Sequence, residues 1–380
     1  MLKKDTDVEM AKKKILFLVH LPPPIHGAAI MDETYLKSKA VNDIFCVKHI
    51  KLNYSKTVDD IGEFNLMKLA GFFIVLWRIM YLQTSFRPDL VYFEIAPRGA
   101  GFLRDSVFAL LCKLFRRKII FQLQAKGISE EINSILKLWY YRLVFRRTKV
   151  ILLSELLYPD AEKVVNRRDV YILPNCVKDE LIKEEFEENI KERDKNGVPV
   201  ILFLSNMIET KGPLDVLEIC NLLNKDRIDF ECFFVGAWSG EDFKRKWYGL
   251  LEQYNLQDKC KYIGAKYGDD KKLIFKKANF LLFPTKYELE TFGLVIIEAF
   301  MHGIPVLAYD NAAIKEIIKY DWLGYVSFKN DYHDLYVYLT ENISKHFDNY
   351  RIRKYFLENY VNHIIEKKLV DIFKQENGLL

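Results

Sequence analysis

Short apolar segments alternate with helix-length segments in two successive series, and this alternation constrains the fold more than any other feature. The first series has candidate strands at residues 14–20, 89–95, 118–124, 149–154 and 169–174. The second series has them at residues 200–206, 229–236, 259–264, 279–285 and 304–310. The helix-length segments include residues 65–84, 103–116 and 131–146. Such alternation is typical of a parallel sheet with helices on both faces, so we predict an α/β fold with two Rossmann-like, doubly wound domains.

The length of 380 residues also favours two domains, because single hydrophobic cores rarely grow that large. The charged stretch KEEFEENIKERDKNG lies between the two series and is typical of a linker. We therefore predict an N-terminal domain over residues 1–182, a linker over 183–198 and a C-terminal domain over 199–350. Residues 351–380 are expected to be helical.

Composition indicates a folded protein of a reducing compartment. Half of the residues are hydrophobic and 14% are aromatic, which argues against disorder. The six cysteines include no Cys-x-x-Cys pair, so neither a disulfide framework nor a zinc site is predicted. The start MLKKDTDVEMAKKK lacks the apolar centre of a secretory signal, and the apolar run at residues 69–77 is shorter than the ~20 residues that span a bilayer. We expect a cytoplasmic protein, soluble or peripheral to the membrane.

Positive charge is concentrated in the first half of the chain. Residues 1–180 contain 29 Lys and Arg against 20 Asp and Glu, whereas residues 181–380 contain 28 against 32. Basic clusters at residues 12–14, 116–118 and 142–147 suit an anionic membrane surface or a phosphate-bearing acceptor. Ordinary solvated side chains are the alternative. Nucleic acid is disfavoured as a partner, since no helix-turn-helix, zinc-finger or RNA-recognition signature accompanies the clusters.

Two glutamates flank a predicted helix start in FPTKYELETFGLVIIEAFMHGIPVLAYDNAAIKE, residues 283–316. The helix should begin near Thr291 or Phe292 and end at Gly303, and its free amides at residues 293–295 should attract phosphate. Apolar residues surround Glu298, and its neighbours in sequence provide no obvious cation, so we expect a polar ligand to pair with its carboxylate. A nucleotide diphosphate on the helix start would place its ribose near Glu298 and a sugar near Glu290. A solvated helix face with two unrelated glutamates is the alternative.

This segment resembles the E-x7-E region of retaining glycosyltransferases of family 4, which have the GT-B fold. The similarity includes the Phe-Gly after Glu290, the Glu-Ala in the helix, the Gly-x-Pro-Val turn at residues 303–306 and Glu316. The resemblance implies two Rossmann-like domains facing a cleft and a C-terminal helix that crosses back towards the N-terminal domain. It also implies a nucleoside diphosphate sugar as donor, bound by Glu290, Phe292, Gly293, Leu294 and Glu298.

The loop LPPPIHGAAI, residues 21–30, resembles the family's loop that faces the donor phosphates. Gly27 allows the backbone to come close to a ligand, and free amides follow it. His26 is a candidate contact to donor or acceptor. A Pro-rich turn with a helix cap and a structural histidine are the alternatives.

The strand and loop LFLSNMIETKG, residues 202–212, resemble the family's segment that carries a cation for the donor diphosphate. Lys211 holds the position of that cation. Asn206 stands where the family usually has arginine, so a neutral amide replaces a permanently charged, bidentate donor. The enzyme would then depend on Lys211 and helix dipoles, or its phosphate site would be weakened.

The segment FQLQAKG, residues 121–127, occupies the place of a His-x-His-Gly segment in many relatives. Gln122 and Gln124 replace both histidines, so no general base is assigned there. We expect Gln124, Lys126 and Arg98 to lie on the acceptor side, together with His26. For Arg98, ordinary surface pairing is an equal alternative.

The resemblance implies a metal-independent, retaining transferase in which Glu290 and Lys211 are the catalytic residues. No cofactor is expected besides the donor substrate. The Asp-x-Asp at residues 5–7 lies in a charged tail without a preceding strand, so no metal site is predicted. The expected acceptor is a polyprenyl-linked sugar or a growing bacterial surface polysaccharide, such as capsule or lipopolysaccharide, at the cytoplasmic face of an anionic membrane.

Two other functions are compatible with the same residues. The changes at Asn206, Gln122 and Gln124 are what a catalytically weakened GT-B protein would show if it served as the partner of another transferase. A GT-B epimerase or phosphorylase would convert a donor without the proposed acceptor.

Overall fold

A computed structural model of the protein describes residues 12–23, 27–52, 66–195 and 197–380. These residues form two compact units. Unit 1 consists of the described residues of Met1–Leu152, together with Tyr158–Leu173 and Ile365–Leu380. Unit 2 consists of Leu153–Leu157 and the described residues of Pro174–Ile364.

Unit 1 is built on a parallel sheet with the strand order β2-β1-β3-β4-β5-β6. Its strands are β1 (Lys14–Val19), β2 (Cys46–Lys51), β3 (Leu90–Glu94), β4 (Lys118–Leu123), β5 (Lys149–Leu152) and β6 (Val170–Ile172). Its helices are α1 (Gly27–Lys37), α2 (Lys39–Ile44), α3 (Leu66–Ser85), α4 (Gly99–Leu114), α5 (Ile128–Glu131), α6 (Ile135–Phe145) and α7 (Tyr158–Ala161). Every residue of β3 is buried, as expected for a central strand covered on both faces.

Unit 2 repeats this architecture with the strand order β12-β11-β10-β7-β8-β9, again all parallel. Its strands are β7 (Val200–Leu204), β8 (Glu231–Val235), β9 (Cys260–Tyr262), β10 (Phe280–Phe283), β11 (Val306–Tyr309) and β12 (Gly324–Ser327). Its helices are α8 (Lys183–Lys195), α9 (Pro213–Lys225), α10 (Glu241–Gln253), α11 (Gly268–Lys277), α12 (Leu294–Met301), α13 (Ile314–Ile317), α14 (Tyr332–Asn342) and α15 (Asn349–Asn359). The last helix of the chain, α16 (Asn362–Glu376), runs from unit 2 into the part of the chain assigned to unit 1.

The predicted α/β fold with two Rossmann-like domains is confirmed. All ten predicted strands are present, with ends that differ by a few residues, and β2 and β12 are additional. The C-terminal residues are helical, and Phe373 of α16 packs its ring edge-on against Phe17, Phe45 and Tyr92 in unit 1.

The segment predicted as a linker at residues 183–198 is instead mostly the helix α8 of unit 2. The prediction was wrong because three residues of this charged stretch, Phe186, Asn189 and Arg193, recur at helical spacing and are buried. High charge on the remaining faces concealed this narrow buried stripe.

A separate observation concerns membranes. None of the helices within the described ranges combines the length and the hydropathy required to cross a bilayer.

Candidate functional site

The strand order of unit 2 creates a ligand-binding edge between β7 and β10. The chain passes from β7 to β8 and β9 on one side, and then returns to β10 on the other side of β7. In doubly wound folds, ligands bind at the carboxyl ends of the strands where the order reverses in this way. Because the loop carrying Lys211 follows β7 and the loop carrying Glu290 follows β10, the topology brings these two side chains together.

Helix α12 begins at Leu294 and not at Thr291 or Phe292 as predicted. The reason is Gly293, whose φ of 77° is left-handed and ends helical geometry on its amino side. A Cβ at this position would lie 3.0 Å from the Phe283 ring and 3.1 Å from the Ile296 side chain. The amide of Ile296 donates to the Gly293 carbonyl at 2.9 Å, so the first free amides are those of Leu294 and its neighbour Val295.

Two buried arginines hold the carboxyl end of α12, which stops just before Gly303 as predicted. Arg193 of α8 donates to the carbonyl of His302 at 3.1 Å, and Arg353 of α15 donates to that of Met301 at 2.6 Å. Arg193 also donates to two carbonyls at the end of α11, each at 3.0 Å. Cations at this end satisfy carbonyls that lack helical partners and interact favourably with the helix dipole. These contacts therefore hold the carboxyl end of α12 in place and fix the direction in which its amino end points.

Lys211 and Glu290 form an ion pair in which Nζ and the carboxylate oxygen are 2.5 Å apart. The two side chains are only 14% and 12% exposed, and the lysine Nζ also lies 4.3 Å from the centre of the Tyr287 ring. Gly212 makes this approach possible, because its φ is 87° and a Cβ there would lie 2.2 Å from the carbonyl oxygen of Pro284. The close backbone contact between these two loops thus places Lys211 and Glu290 side by side at the edge of the sheet.

Glu298 is paired with a lysine that the sequence analysis did not anticipate. Both of its carboxylate oxygens lie 2.6 Å from Nζ of Lys271, on α11. The sequence neighbours of Glu298 indicated no cation, but its partner comes from 27 residues earlier in the chain, and the Glu298 side chain remains 21% exposed. The exposed fraction still leaves room for a ligand to contact the carboxylate.

The remaining predicted donor residues of unit 2 differ in accessibility. Asn206 is exposed after β7, and Leu294 is half-buried at the start of α12. Phe292 is buried, with its ring 6.1 Å from that of Tyr360, so its side chain belongs to the core. Only the backbone of Phe292 is then available to a ligand.

In unit 1, Gly27 is the first residue of α1, which places unsatisfied helix amides at the position where a phosphate-facing turn was predicted. His26 lies outside the described residues. Arg98 precedes α4 and donates to Glu130 at 2.7 Å, which is the surface pairing named above as an alternative.

Two glutamines stand where the family resemblance implies histidines. Gln122 lies near the end of β4, and Gln124 directly follows the strand. Gln122 is fully buried, and neither atom of its side-chain amide has a hydrogen-bond partner within the part of the chain that the structure describes. Gln124 is also buried, whereas Lys126 is half-buried. A water or a ligand hydroxyl would satisfy the Gln122 amide, since buried polar groups are rarely left unpaired.

Sequence reasoning missed a polar cluster in unit 1, formed by His20, Asp32 and Glu94. The order of this sheet reverses between β1 and β3, and His20 follows β1 while Glu94 ends β3. His20 Nδ1 lies 2.7 Å from the Glu94 carboxylate, and the His20 amide donates to Asp32 at 2.9 Å. The ligand atoms of the three side chains lie within 4.8 Å of one another, a spacing at which they can also hold a cation. Asp32 and Glu94 follow His20 by 12 and 74 residues in the chain. Only the point at which the strand order of a doubly wound sheet reverses would have indicated this cluster from the sequence.

Burial and the charge of Glu94 change the pKa values of the other two residues in this cluster. Burial and the neighbouring Glu94 raise the pKa of Asp32 well above its usual range. Burial lowers the pKa of His20, but attraction and a hydrogen bond to Glu94 outweigh it, so the pKa of His20 is raised. Both pKa shifts favour the protonated forms of Asp32 and His20.

A comparison with known protein families found a match within unit 2. The family model described as glycosyl transferases group 1 matches residues 184–358. The matched segment is less than half of the chain and lies within unit 2. The matched segment contains Lys211, Lys271, Glu290 and Glu298, the two ion pairs described above.

Curated relatives are also glycosyltransferases. The chain is 27% identical over 135 residues to the "Putative colanic acid biosynthesis glycosyltransferase WcaL" of Escherichia coli (strain K12), covering 34% of this chain and 32% of that protein. It is 25% identical over 148 residues to the amylovoran biosynthesis glycosyltransferase AmsK of Erwinia amylovora, covering 38% and 36%. The chain therefore spans about a third of the length of these relatives.

Solved structures extend the similarity over both units. HepE of Anabaena in complex with UDP superimposes with a TM-score of 0.72 at 14% identity, covering 96% of this chain and 100% of that chain. Similarity at this level of identity shows the fold alone, and it confirms the predicted GT-B fold with two Rossmann-like domains.

Proposed function

We propose that the protein is a retaining, metal-independent glycosyltransferase that transfers a sugar from a nucleoside diphosphate sugar to a lipid-linked or polysaccharide acceptor of bacterial surface polysaccharide biosynthesis. The observation that carries this proposal is the pairing of Lys211 with Glu290 beside the free amides of α12, inside the matched segment. The colanic acid and amylovoran relatives favour a polysaccharide product. UDP and UDP-glucose are the first ligands to test, because HepE was solved with each of them.

The proposed donor diphosphate binds at the amino end of α12. Its negative charge attracts Lys211 away from Glu290 and accepts hydrogen bonds from the amides of Leu294 and Val295. Glu290 is then free to accept hydrogen bonds from the donor sugar. Glu298 lies four residues into the helix, about 6 Å along its axis, where it can bind the ribose while it remains paired with Lys271.

The proposed reaction depends on electrostatic stabilisation of the leaving diphosphate. Charge accumulates on the phosphate oxygens as the glycosidic bond breaks, and Lys211 and the helix amides are already oriented towards them. The departing phosphate takes the proton of the acceptor hydroxyl, which attacks from the same face of the sugar. Such a mechanism requires no general base at Gln122 or Gln124 and no metal ion.

A donor turnover assay separates this proposal from that of a non-catalytic partner. Purified protein is screened against nucleotide sugars for thermal stabilisation, and release of the nucleoside diphosphate is measured with the donor that binds. We expect turnover in the wild type, its loss in Glu290→Ala and its retention in Glu192→Ala, a control that breaks the remote Lys276–Glu192 pair. Binding without turnover would favour the partner function, and turnover in Glu290→Ala would contradict the assigned site.

We further propose that unit 1 attaches the protein to the cytoplasmic face of an anionic membrane. Helix α4 packs against both α3 and α6, and all three helices carry exposed apolar side chains. Trp77 of α3 is 62% exposed and Trp139 of α6 is 64% exposed, which is unusual for tryptophan in water. The exposed apolar residues of these helices are Phe73, Ile74, Trp77, Met80, Tyr81, Leu103, Val107, Leu114, Ile135, Leu136 and Trp139.

Basic residues border this apolar face, which favours a lipid surface over a second protein. Arg78 lies on α3 among the exposed aromatic residues, and Arg142 lies on α6. At the carboxyl end of α6, a surface cavity of about 420 Å³ is lined by Arg142, Arg146, Arg147 and Lys163, among others. Aromatic side chains at headgroup level with arginines near phosphate groups are typical of proteins that lie on anionic membranes.

Flotation with lipid vesicles tests the membrane proposal. We expect the wild type to float with vesicles containing phosphatidylglycerol but not with phosphatidylcholine alone, and the Trp77→Ala/Trp139→Ala double variant to lose flotation. The matched control is Tyr267→Ala/Phe328→Ala, which removes two equally exposed aromatic residues from unit 2 and should float normally. Equal flotation of both double variants, or no dependence on anionic lipid, would refute the proposed face.

A further inference from the structure

Three cysteines converge in the core of unit 2. Cys220 lies on α9, Cys232 on β8 and Cys260 on β9, and the last two are direct neighbours across parallel strands. The three sulfur atoms lie within 4.8 Å of one another. Residues far apart in sequence and on three different elements thus form one thiol cluster. Among the described residues, no comparable cluster includes the other cysteines, which are Cys46, Cys112 and Cys176.

The surroundings of the thiol cluster are apolar and dry. Cys220 and Cys232 are fully buried and Cys260 is almost so, in the hydrophobic core that also contains Trp247 and Leu256. No histidine or carboxylate belongs to the cluster within the described part of the chain. Oxygen-seeking cations such as Mg²⁺ and Ca²⁺ are therefore excluded as ligands. Zinc prefers four ligands, and its fourth would have to be a water molecule in an apolar core.

The geometry fits an ion that binds three sulfur atoms. With bonds of about 2.3 Å, three sulfur ligands lie roughly 3.5–4 Å apart around a pyramidal or planar centre, so sulfur atoms within 4.8 Å of one another need to move closer by about 1 Å. Charge then selects among soft ions. Three thiolates carry three negative charges, and a net charge in an apolar core is costly, so only a trivalent ion gives a neutral complex.

We propose that Cys220, Cys232 and Cys260 form a binding site for a trivalent, thiophilic ion, for which arsenite is the probe. Arsenous acid reacts with the three thiols to give an arsenic tris-thiolate and three molecules of water. Three As–O and three S–H bonds break, three As–S bonds and three O–H bonds of water form, and arsenic remains trivalent throughout. The product joins α9, β8 and β9, so binding stabilises the folded unit 2 over its unfolded state.

Native mass spectrometry of the purified, reduced protein tests this site independently of transferase activity. After incubation with arsenite, we expect one arsenic atom in place of three hydrogen atoms, together with a higher midpoint of thermal unfolding. Cys220→Ala, Cys232→Ala and Cys260→Ala should each weaken arsenite binding by about a hundredfold, because one of three linked bonds is lost. Circular dichroism without arsenite identifies which of the three variants are folded, and any one of them is sufficient for the test.

Two cysteines outside the thiol cluster provide matched controls. Cys112→Ala and Cys176→Ala remove buried thiols outside the cluster and should bind arsenite as the wild type does. Three results would overturn the proposal: no arsenic adduct in the wild type, an adduct that persists in the cluster variants, or stoichiometric Zn²⁺ binding by the cluster without arsenic binding.

Discussion

Lowering the pH should destabilise unit 2 through one buried histidine at the carboxyl end of α12. His302 follows α12, is almost fully buried and stacks on the Phe275 ring at 4.9 Å. Neither ring nitrogen has a hydrogen-bond partner among the described residues. Burial, with the positive charges of Arg193 and Arg353, lowers the pKa of His302 from 6.5 to about 3.

The sign and size of the effect follow from these two pKa values. Between pH 6.5 and about 3, the unfolded state binds a proton at His302 that the folded state does not, so stability falls as the pH falls through this window. At pH 5.0 the loss is about 2 kcal/mol, since each pH unit below 6.5 contributes about 1.4 kcal/mol. This is a large share of the stability of an ordinary domain.

The variant His302→Phe isolates this contribution. It keeps a flat ring against Phe275, removes the titrating group and breaks no hydrogen bond to a described residue. Urea unfolding of both proteins at pH 7.5 and pH 5.0 gives two stability differences, and other titrating groups cancel between them. We expect the wild type to lose about 2 kcal/mol more than His302→Phe. An equal loss in both proteins would refute the assignment, and His302→Leu repeats the test if phenylalanine overfills the site.

Three further substitutions test other parts of unit 2. Arg193→Leu removes the arginine donor from the carbonyls of Phe275, Lys276 and His302 and should lower the free energy of unfolding by about 3 kcal/mol, as measured by urea unfolding. Lys191→Leu, on the exposed face of the same helix, should change it by less than about 0.5 kcal/mol. Gly293→Ala forces a side chain into left-handed backbone at the start of α12 and should cost about 1–2 kcal/mol while weakening nucleotide binding, both measurable by thermal shift. Asn206→Arg places a cation at the exposed position where the resemblance described above implies an arginine. Calorimetry should then show roughly tenfold tighter binding of the donor nucleotide, whereas an unchanged affinity would place Asn206 away from the phosphates.

The fold was largely predictable from sequence because central strands of doubly wound sheets are continuous apolar runs. Residues 89–95 and 118–124 are examples, and both became buried strands. The strands β2 and β12 were missed because neither is a continuous apolar run. CVKHIK contains two lysines and a histidine and is mostly solvent-accessible, and GYVS begins with glycine and ends with serine.

The site was only partly predictable, because its charge pairs are long-range. The E-x7-E spacing and the glycines located the start of α12 to within three residues. The lysine partner of Glu298 was missed because Lys271 lies on a separate helix, and nothing in its local sequence marks it. The cluster of His20 and Glu94 was missed for the same reason, since only sheet pairing brings these two residues together.

Calorimetric titration of the donor nucleoside diphosphate into the wild type, Lys211→Ala and Lys276→Ala is the most direct test of how unit 2 holds its ligand. Lys276 is the matched control, because it also pairs with a glutamate but on the far end of α11. Loss of one charge-assisted contact to the diphosphate should weaken binding by about 10- to 100-fold in Lys211→Ala and leave Lys276→Ala unchanged. Equal affinity for all three proteins would contradict the account.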